Sequence, residues 1–139
     1  MTALEFNTTR RYVLGLGCER GTSPDEVMAL VFSALEMAGI VPAQVAGLAS
    51  IDSRRGEPAM AVVAARLAIP MLFFDAATLE KETPRIKNPS DVVFARVGCH
   101  GVAESAALAA IGPDAELALA KIKSAHATAA IARALLRKE

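Results

Sequence analysis

Three short apolar runs recur along the first half of this chain, with a helix-periodic segment between each pair. The runs are Arg11-Tyr-Val-Leu-Gly-Leu-Gly17, Val45-Ala-Gly-Leu-Ala-Ser-Ile51 and Pro70-Met-Leu-Phe-Phe74. Each has the length and composition of a buried strand. Between the first two, Ser23-Pro24-Asp25-Glu26 opens a helix. Ser stands at the N-cap, Pro at the first helical position, and Glu three residues beyond the cap. Val27, Leu30, Val31, Ala34, Leu35 and Ala38 follow at helical spacing, and Gly39 ends the helix. Glu57-Pro58 opens a second helix carrying Met60, Val63, Ala64 and Leu67. Alternating strands and helices with short links predict parallel strands joined by right-handed crossovers. The expected fold is α/β: a single three-layer domain with a mainly parallel central sheet and helices on both faces.

The second half is less regular. Thr83 to Pro89 contains Pro84, Asn88 and Pro89 and reads as a loop. Ser90-Asp91 begins a short helix that ends near Gly98, and Cys99-His100-Gly101 reads as a turn. Val102 to Ile111 is an Ala-rich helix closed by Gly112-Pro113. From Glu116 to Lys123 the pattern predicts a strand, with Leu117, Leu119, Lys121 and Lys123 on one face. Ser124 is then expected to cap a final helix, with Ala127, Ile131, Ala134 and Leu135 inward. Residues 1–9 are expected to be a disordered lead, and residues 10–139 the domain.

A chain of 139 residues buries a core without needing disulfide or metal staples. Fifteen basic residues balance fifteen acidic ones, which argues against generic nucleic-acid binding. No run has the length of a membrane span, and no basic amphipathic stretch offers a membrane surface. Cys18 and Cys99 lack Cys-x-x-Cys spacing, so they read as free thiols, with no metal site expected. The first eleven residues lack the apolar segment of a signal peptide, and the expected location is cytoplasmic.

Open α/β sheets bind ligands beyond the carboxyl ends of their strands. The polar residues of this chain gather there. Gly17, Cys18, Glu19, Arg20, Gly21, Thr22 and Ser23 follow the first strand. Ser50, Asp52, Ser53, Arg54 and Arg55 belong to the second, Asp75 to the third, and Lys123, Ser124, His126 and Thr128 to the last. Glycines let a backbone approach a ligand or turn with positive φ. A helix N-terminus and Arg20 beside them suit a carboxylate or phosphate. The loop matches neither phosphate-loop nor dinucleotide-binding spacing, so a plain strand-to-helix turn with a solvated Arg20 is an equal reading. Arg54 and Arg55 read as locally paired surface charge unless their loop faces the first one. Lys121 in an apolar strand needs a carboxylate partner, for which Asp52, Glu104 or a ligand group are candidates. His100 and His126 have no metal-ligand spacing, and no nucleophile elbow is present.

The segments Gly15-Leu-Gly-Cys-Glu-Arg-Gly-Thr-Ser23, Leu48-Ala-Ser-Ile-Asp52, Phe73-Phe74, Asn88-Pro89-Ser90, Val97-Gly98, Gly101-Val-Ala-Glu-Ser-Ala-Ala-Leu108 and Lys121 to Ala132 fall in a characteristic order. Together they resemble the CobE/CbiG C-terminal domain family of cobalamin biosynthesis. The resemblance implies a role in building the corrin ring. Larger members carry an additional N-terminal region and are associated with opening a lactone on a cobalt-containing, ring-contracted intermediate. This chain matches only the C-terminal domain, and the stand-alone form goes with the aerobic route. The expected ligand is therefore a corrin or precorrin intermediate, and other corrin-pathway enzymes or a second copy are expected partners, with no cofactor. Gly17, Arg20, Gly21, Thr22, Ser50, Asp52, Glu104, Lys121, Ser124 and Thr128 are the expected ligand-binding residues. Two classes of function stay open: a carrier or accessory protein, or a hydrolase with Asp52 or Glu104 as general base and Lys121 or Arg20 at an oxyanion. An anion-binding regulatory module unrelated to corrins is a third.

Overall fold

The computed structural model describes residue 6 and residues 9–135. Most of the expected lead, residues 1–9, lies outside these described residues. Five strands form one sheet: β1 (Tyr12–Cys18), β2 (Val45–Ile51), β3 (Met71–Phe74), β4 (Ala115–Lys123) and β5 (Ala127–Ala134). Their spatial order is β3-β2-β1-β5-β4. The helices are α1 (Pro24–Ala38), α2 (Pro58–Leu67), α3 (Ala76–Glu80), α4 (Asp91–Val97) and α5 (Ala103–Ile111).

The first half folds as its periodicity predicts. β1 pairs with β2, and β2 with β3, in parallel. The correction lies at the other end of the chain. The segment expected as a final helix is the strand β5, which pairs antiparallel with both β1 and β4. The sheet is therefore mixed, not mainly parallel. β4 still runs in the direction of β1, so only β5 is reversed. The physical reason is burial: β5 is an inner strand of seven buried or half-buried alanines and branched residues, and Leu135 beyond it is exposed. Its small side chains leave room for elements above and below, which outweighs the helix preference of Ala.

Successive strand residues face opposite sides of the sheet. Leu14, Leu16 and Leu48 join one core with Val27, Val31 and Leu35 of α1 and Met60 and Val63 of α2. Val13, Ala49, Ile51 and Ala132 join another with Ala106, Ala107 and Leu108 of α5 and Leu79 of α3. Leu14, Leu16 and Leu48 are fully buried, each contributing about 2 kcal/mol of transfer free energy. Phe6 packs against the second core.

The approach of α5 to the sheet depends on Gly15. A β-carbon there would collide with the Ala103 carbonyl oxygen and stand 2.9 Å from its carbon. Gly15 thus admits a helix, not a ligand. Opposite the site, the chain closes on itself: the Ala134 N–H donates to the Arg11 carbonyl at 2.8 Å. The Arg11 guanidinium returns to the Ala134 carbonyl at 3.0 Å.

Candidate functional site

β1 and β4 end on the same side of the sheet, and β5 begins there, with Cys18 opposite Ala127 and Lys123 opposite Thr128. Between these ends and α4 lies a cavity of about 210 Å³. Ile51, Val93, Val97, Val102, Ala125 and Ala127 give it apolar walls, and Arg54, Arg96, Lys121 and Lys123 surround them with four cations. Glu19 is the one carboxylate among the lining residues. A second hollow of about 380 Å³ adjoins it, sharing Ile51, Arg54, Arg96 and Val97, and adds Arg20, Asp52 and Asp75.

The sequence-expected residues divide three ways. Gly17, Lys121, Ser124 and Thr128 line the cavity, and Arg20 and Asp52 line the adjoining hollow. Gly21, Thr22, Ser50 and Glu104 line neither and hold the surroundings together. Gly21 turns at φ +76° and donates its N–H to Glu57 Oε1 at 2.8 Å. Thr22 Oγ1 donates to the Glu19 carbonyl at 2.6 Å. Ser50 Oγ, fully buried, donates to the Leu16 carbonyl at 2.6 Å. Gly17 is crowded, since a β-carbon would stand 2.8 Å from Thr128 Oγ1 and require that side chain to shift.

Glu104 is 2 % exposed and has both oxygens engaged. Oε1 accepts the N–H groups of Lys87 and Asn88 at 3.1 and 2.9 Å. Oε2 accepts Asn88 Nδ2 at 3.0 Å and the Lys121 N–H at 2.9 Å. Burial alone would raise its pKa, but these hydrogen bonds outweigh burial and hold it below the ordinary value. Glu104 therefore meets the Lys121 backbone, whereas the ammonium reaches the Asn88 carbonyl at 3.4 Å. Asp52 instead pairs with Arg55 at 3.1 Å, and both side chains are substantially exposed. Among the described residues, no carboxylate neutralises the Lys121 ammonium.

Arg54 does face the first loop: Nε donates to the Cys18 carbonyl at 2.7 Å. Arg55 lies over the Phe73 ring at 4.8 Å. Asp75 caps α3 by accepting the Thr78 N–H at 2.7 Å. The Cys18 thiol lines the cavity with its pKa raised, first by burial and then by the Glu57 charge.

Two features escape sequence reasoning. Arg96, Val93 and Val97 reach the cavity from α4, which the loop-rich stretch around it gave no reason to place there. Glu26 sits at the capping-box position, yet Ser23 makes no side-chain cap. Its carboxylate instead accepts Ser124 Oγ, the His126 N–H at 2.7 Å and His126 Nδ1 at 2.9 Å. These bonds, led by that from Ser124, lower its pKa to about 2. The same contact, hydrogen bond first and charge second, raises the pKa of His126.

Residues 12–132 match the model of the family described as Cobalamin synthesis G C-terminus. The chain belongs to this family. Protein CobE of Sinorhizobium sp is 55% identical over 128 residues, spanning 91% of this chain and 83% of that protein. A crystal structure of CobE, described as a protein from the cobalamin (vitamin B12) biosynthetic pathway, superposes with a TM-score of 0.86 at 36% identity. It covers 96% of this chain and 97% of that one. The cobalt-precorrin-5A hydrolase of Priestia megaterium is 31% identical over 119 residues, which are 86% of this chain but only 31% of the hydrolase. This is a cobalamin biosynthesis protein of the CobE and CbiG C-terminal type. Within that family domain, the cavity joins parts of the chain that the ordered sequence blocks left far apart. Among the described residues, no helix is long and apolar enough to cross a membrane.

Proposed function

We propose that this protein binds a ring-contracted corrin or precorrin intermediate by its carboxylate rim, as a carrier or accessory protein of the aerobic pathway. The observation that carries this reading is the set of four cations, Arg54, Arg96, Lys121 and Lys123, around an apolar floor. Corrin intermediates are apolar-faced macrocycles edged with acetate and propionate groups. Arginine forks and lysine point charges bind such groups, while Ile51, Val93 and Val97 meet the ring edge. A single exposed ion pair is worth no more than about 1 kcal/mol, so the grip needs several pairs and apolar contact together. The cavity is smaller than sites that enclose a drug-sized ligand, roughly 300–1,000 Å³. With the adjoining hollow it fits one edge of a macrocycle. No resident cofactor is needed for this role, and hand-over to other corrin-pathway enzymes in the cytoplasm belongs to the same proposal.

A hydrolase opening a lactone or related bond on a corrin intermediate is the second reading, favoured by the likeness to the Priestia megaterium hydrolase. Both require the carboxylate grip, which one titration tests. Dicyanocobyrinic acid, a corrin polycarboxylate, is titrated by absorbance, with its permethyl ester as the uncharged control. The proposal expects stoichiometric saturation by the acid, weakened by salt, and little binding of the ester. Equal binding of acid and ester overturns the carboxylate grip. Product analysis with ring-contracted lactone intermediates then distinguishes the roles, since turnover abolished by Asp52→Asn with binding intact identifies a hydrolase.

A further inference from the structure

His126 stands on the wall of the cavity among the cations, with its side chain 56% exposed. Its Nδ1 lies 2.9 Å from Glu26 Oε1. A carboxylate only accepts, so Nδ1 carries the hydrogen in the neutral and the charged ring alike. Glu26 is itself fixed by Ser124 Oγ and the His126 N–H, and the Glu19 N–H holds the His126 carbonyl at 2.9 Å. Among the described residues Nε2 has no partner. That nitrogen is then a donor when the ring is charged and a bare lone pair when it is neutral. Against a ligand carboxylate the first attracts and the second repels.

We propose that His126 is a proton-linked ligand contact: Glu26 holds Nδ1 so that Nε2 faces the cavity, and the charged ring binds a ligand carboxylate through Nε2–H, coupling ligand uptake to protonation of this ring. This rests on the carboxylate-binding role of the cavity. Glu26 from α1 and Glu19 from the loop after β1 act on the charge of the ring, and the cavity that it lines also holds Cys18 from β1 and Lys121 and Lys123 from β4. Arg54 from the loop after β2 and Arg96 from α4 complete the set. Glu26 favours the charged ring through its hydrogen bond and its charge. A ligand carboxylate at Nε2 adds a second favourable charge, and binding therefore draws a proton in.

The test titrates the protein with dicyanocobyrinic acid by calorimetry, from the acid side of the histidine range to well above it. Affinity is expected to be level at acid pH and to fall by up to about tenfold per pH unit above the midpoint of the free ring. His126→Gln is expected to bind a few-fold more weakly at acid pH and to lose that slope. Lys123→Gln is expected to weaken binding while keeping the slope. Carbon-bound ring protons of the two histidines are followed by NMR. Ligand is expected to raise the midpoint of one ring, and His126→Gln to remove that signal from an otherwise native spectrum. A slope unchanged in His126→Gln, or a His126 midpoint unmoved by ligand, overturns the proposal while leaving carboxylate binding standing. Absence of binding by the unmodified protein even at acid pH overturns both.

Discussion

The Glu104 carboxylate accepts the main-chain N–H of Lys121 at 2.9 Å, and so fastens α5 to the strand that presents a cation to the cavity. The same side chain holds the Lys87–Asn88 loop. Position and charge are thereby divided: Glu104 sets where Lys121 stands, and leaves its ammonium for another anion.

Glu104→Gln replaces one acceptor by an amide that cannot receive two of those four hydrogen bonds. A loss of about 3 kcal/mol is expected in urea unfolding, with the slope unchanged. The lowered pKa of Glu104 adds a pH signature. Its stabilisation is full above the ordinary carboxylate value and disappears as pH falls through the lowered folded value. An unchanged unfolding midpoint in Glu104→Gln at neutral pH refutes the anchoring role.

Gly15→Ala puts a methyl group into the Ala103 carbonyl, which is backbone and has little freedom to yield. Gly17→Ala meets the Thr128 hydroxyl, whose side chain has rotamers available. The first substitution is expected to cost about 3 kcal/mol or more and the second about 1 kcal/mol. Thermal melts of the two variants rank them, and a Gly15→Ala as stable as the parent contradicts the close approach of α5.

The Glu26–His126 pair predicts opposed pH limbs. Glu26 stabilises the fold fully above its ordinary 4.5, and that contribution is lost as pH falls toward about 2. His126 contributes fully below its ordinary 6.5, and that contribution is lost as pH rises through its raised folded value. Between the two limbs both partners are charged. Glu26→Gln is expected to move the NMR midpoint of His126 down toward 6.5 in the free protein. A midpoint indifferent to this substitution means the contact does not hold the ring's charge.

For corrin polycarboxylate binding, Arg96→Ala and Lys121→Ala are each expected to weaken affinity about 5-fold, as befits partly screened ion pairs. Arg54→Ala is expected to cost more, since Arg54 also holds the Cys18 carbonyl. Arg20→Ala, at the adjoining hollow, is expected to cost less. Calorimetry at two salt concentrations checks the order, and an Arg20 effect larger than that of Arg96 moves the site into the hollow.

The first three strands and first two helices were legible because their signals are local: apolar runs, a Ser-Pro start and a Gly stop. β5 was not. Ala127 to Ala134 is buried on both faces between β1 and β4, so it shows no alternation, and its alanines favour a helix in isolation. The turn at Ser124 to His126 also lacks the Asn-Gly or Asp-Gly pair that marks a hairpin. Half of the site was visible because strand ends collect ligands. The rest depended on distance in sequence. Glu26 and His126 are 100 residues apart, and Arg96 enters on a helix with no buried residue. Glu104 carried no sign that its charge is spent on backbone N–H groups.

The hydrogen bonds between Arg11 and Ala134 give the fold the property of a plug-in cartridge. Because β5 alone is reversed, the chain enters and leaves side by side, at the end of the sheet remote from the cavity. Sequence joined beyond Arg11 or Ala134 therefore starts from the end of the sheet away from the cavity. The same body can thus serve in chains of very different length, as its match to 31% of the Priestia megaterium hydrolase illustrates.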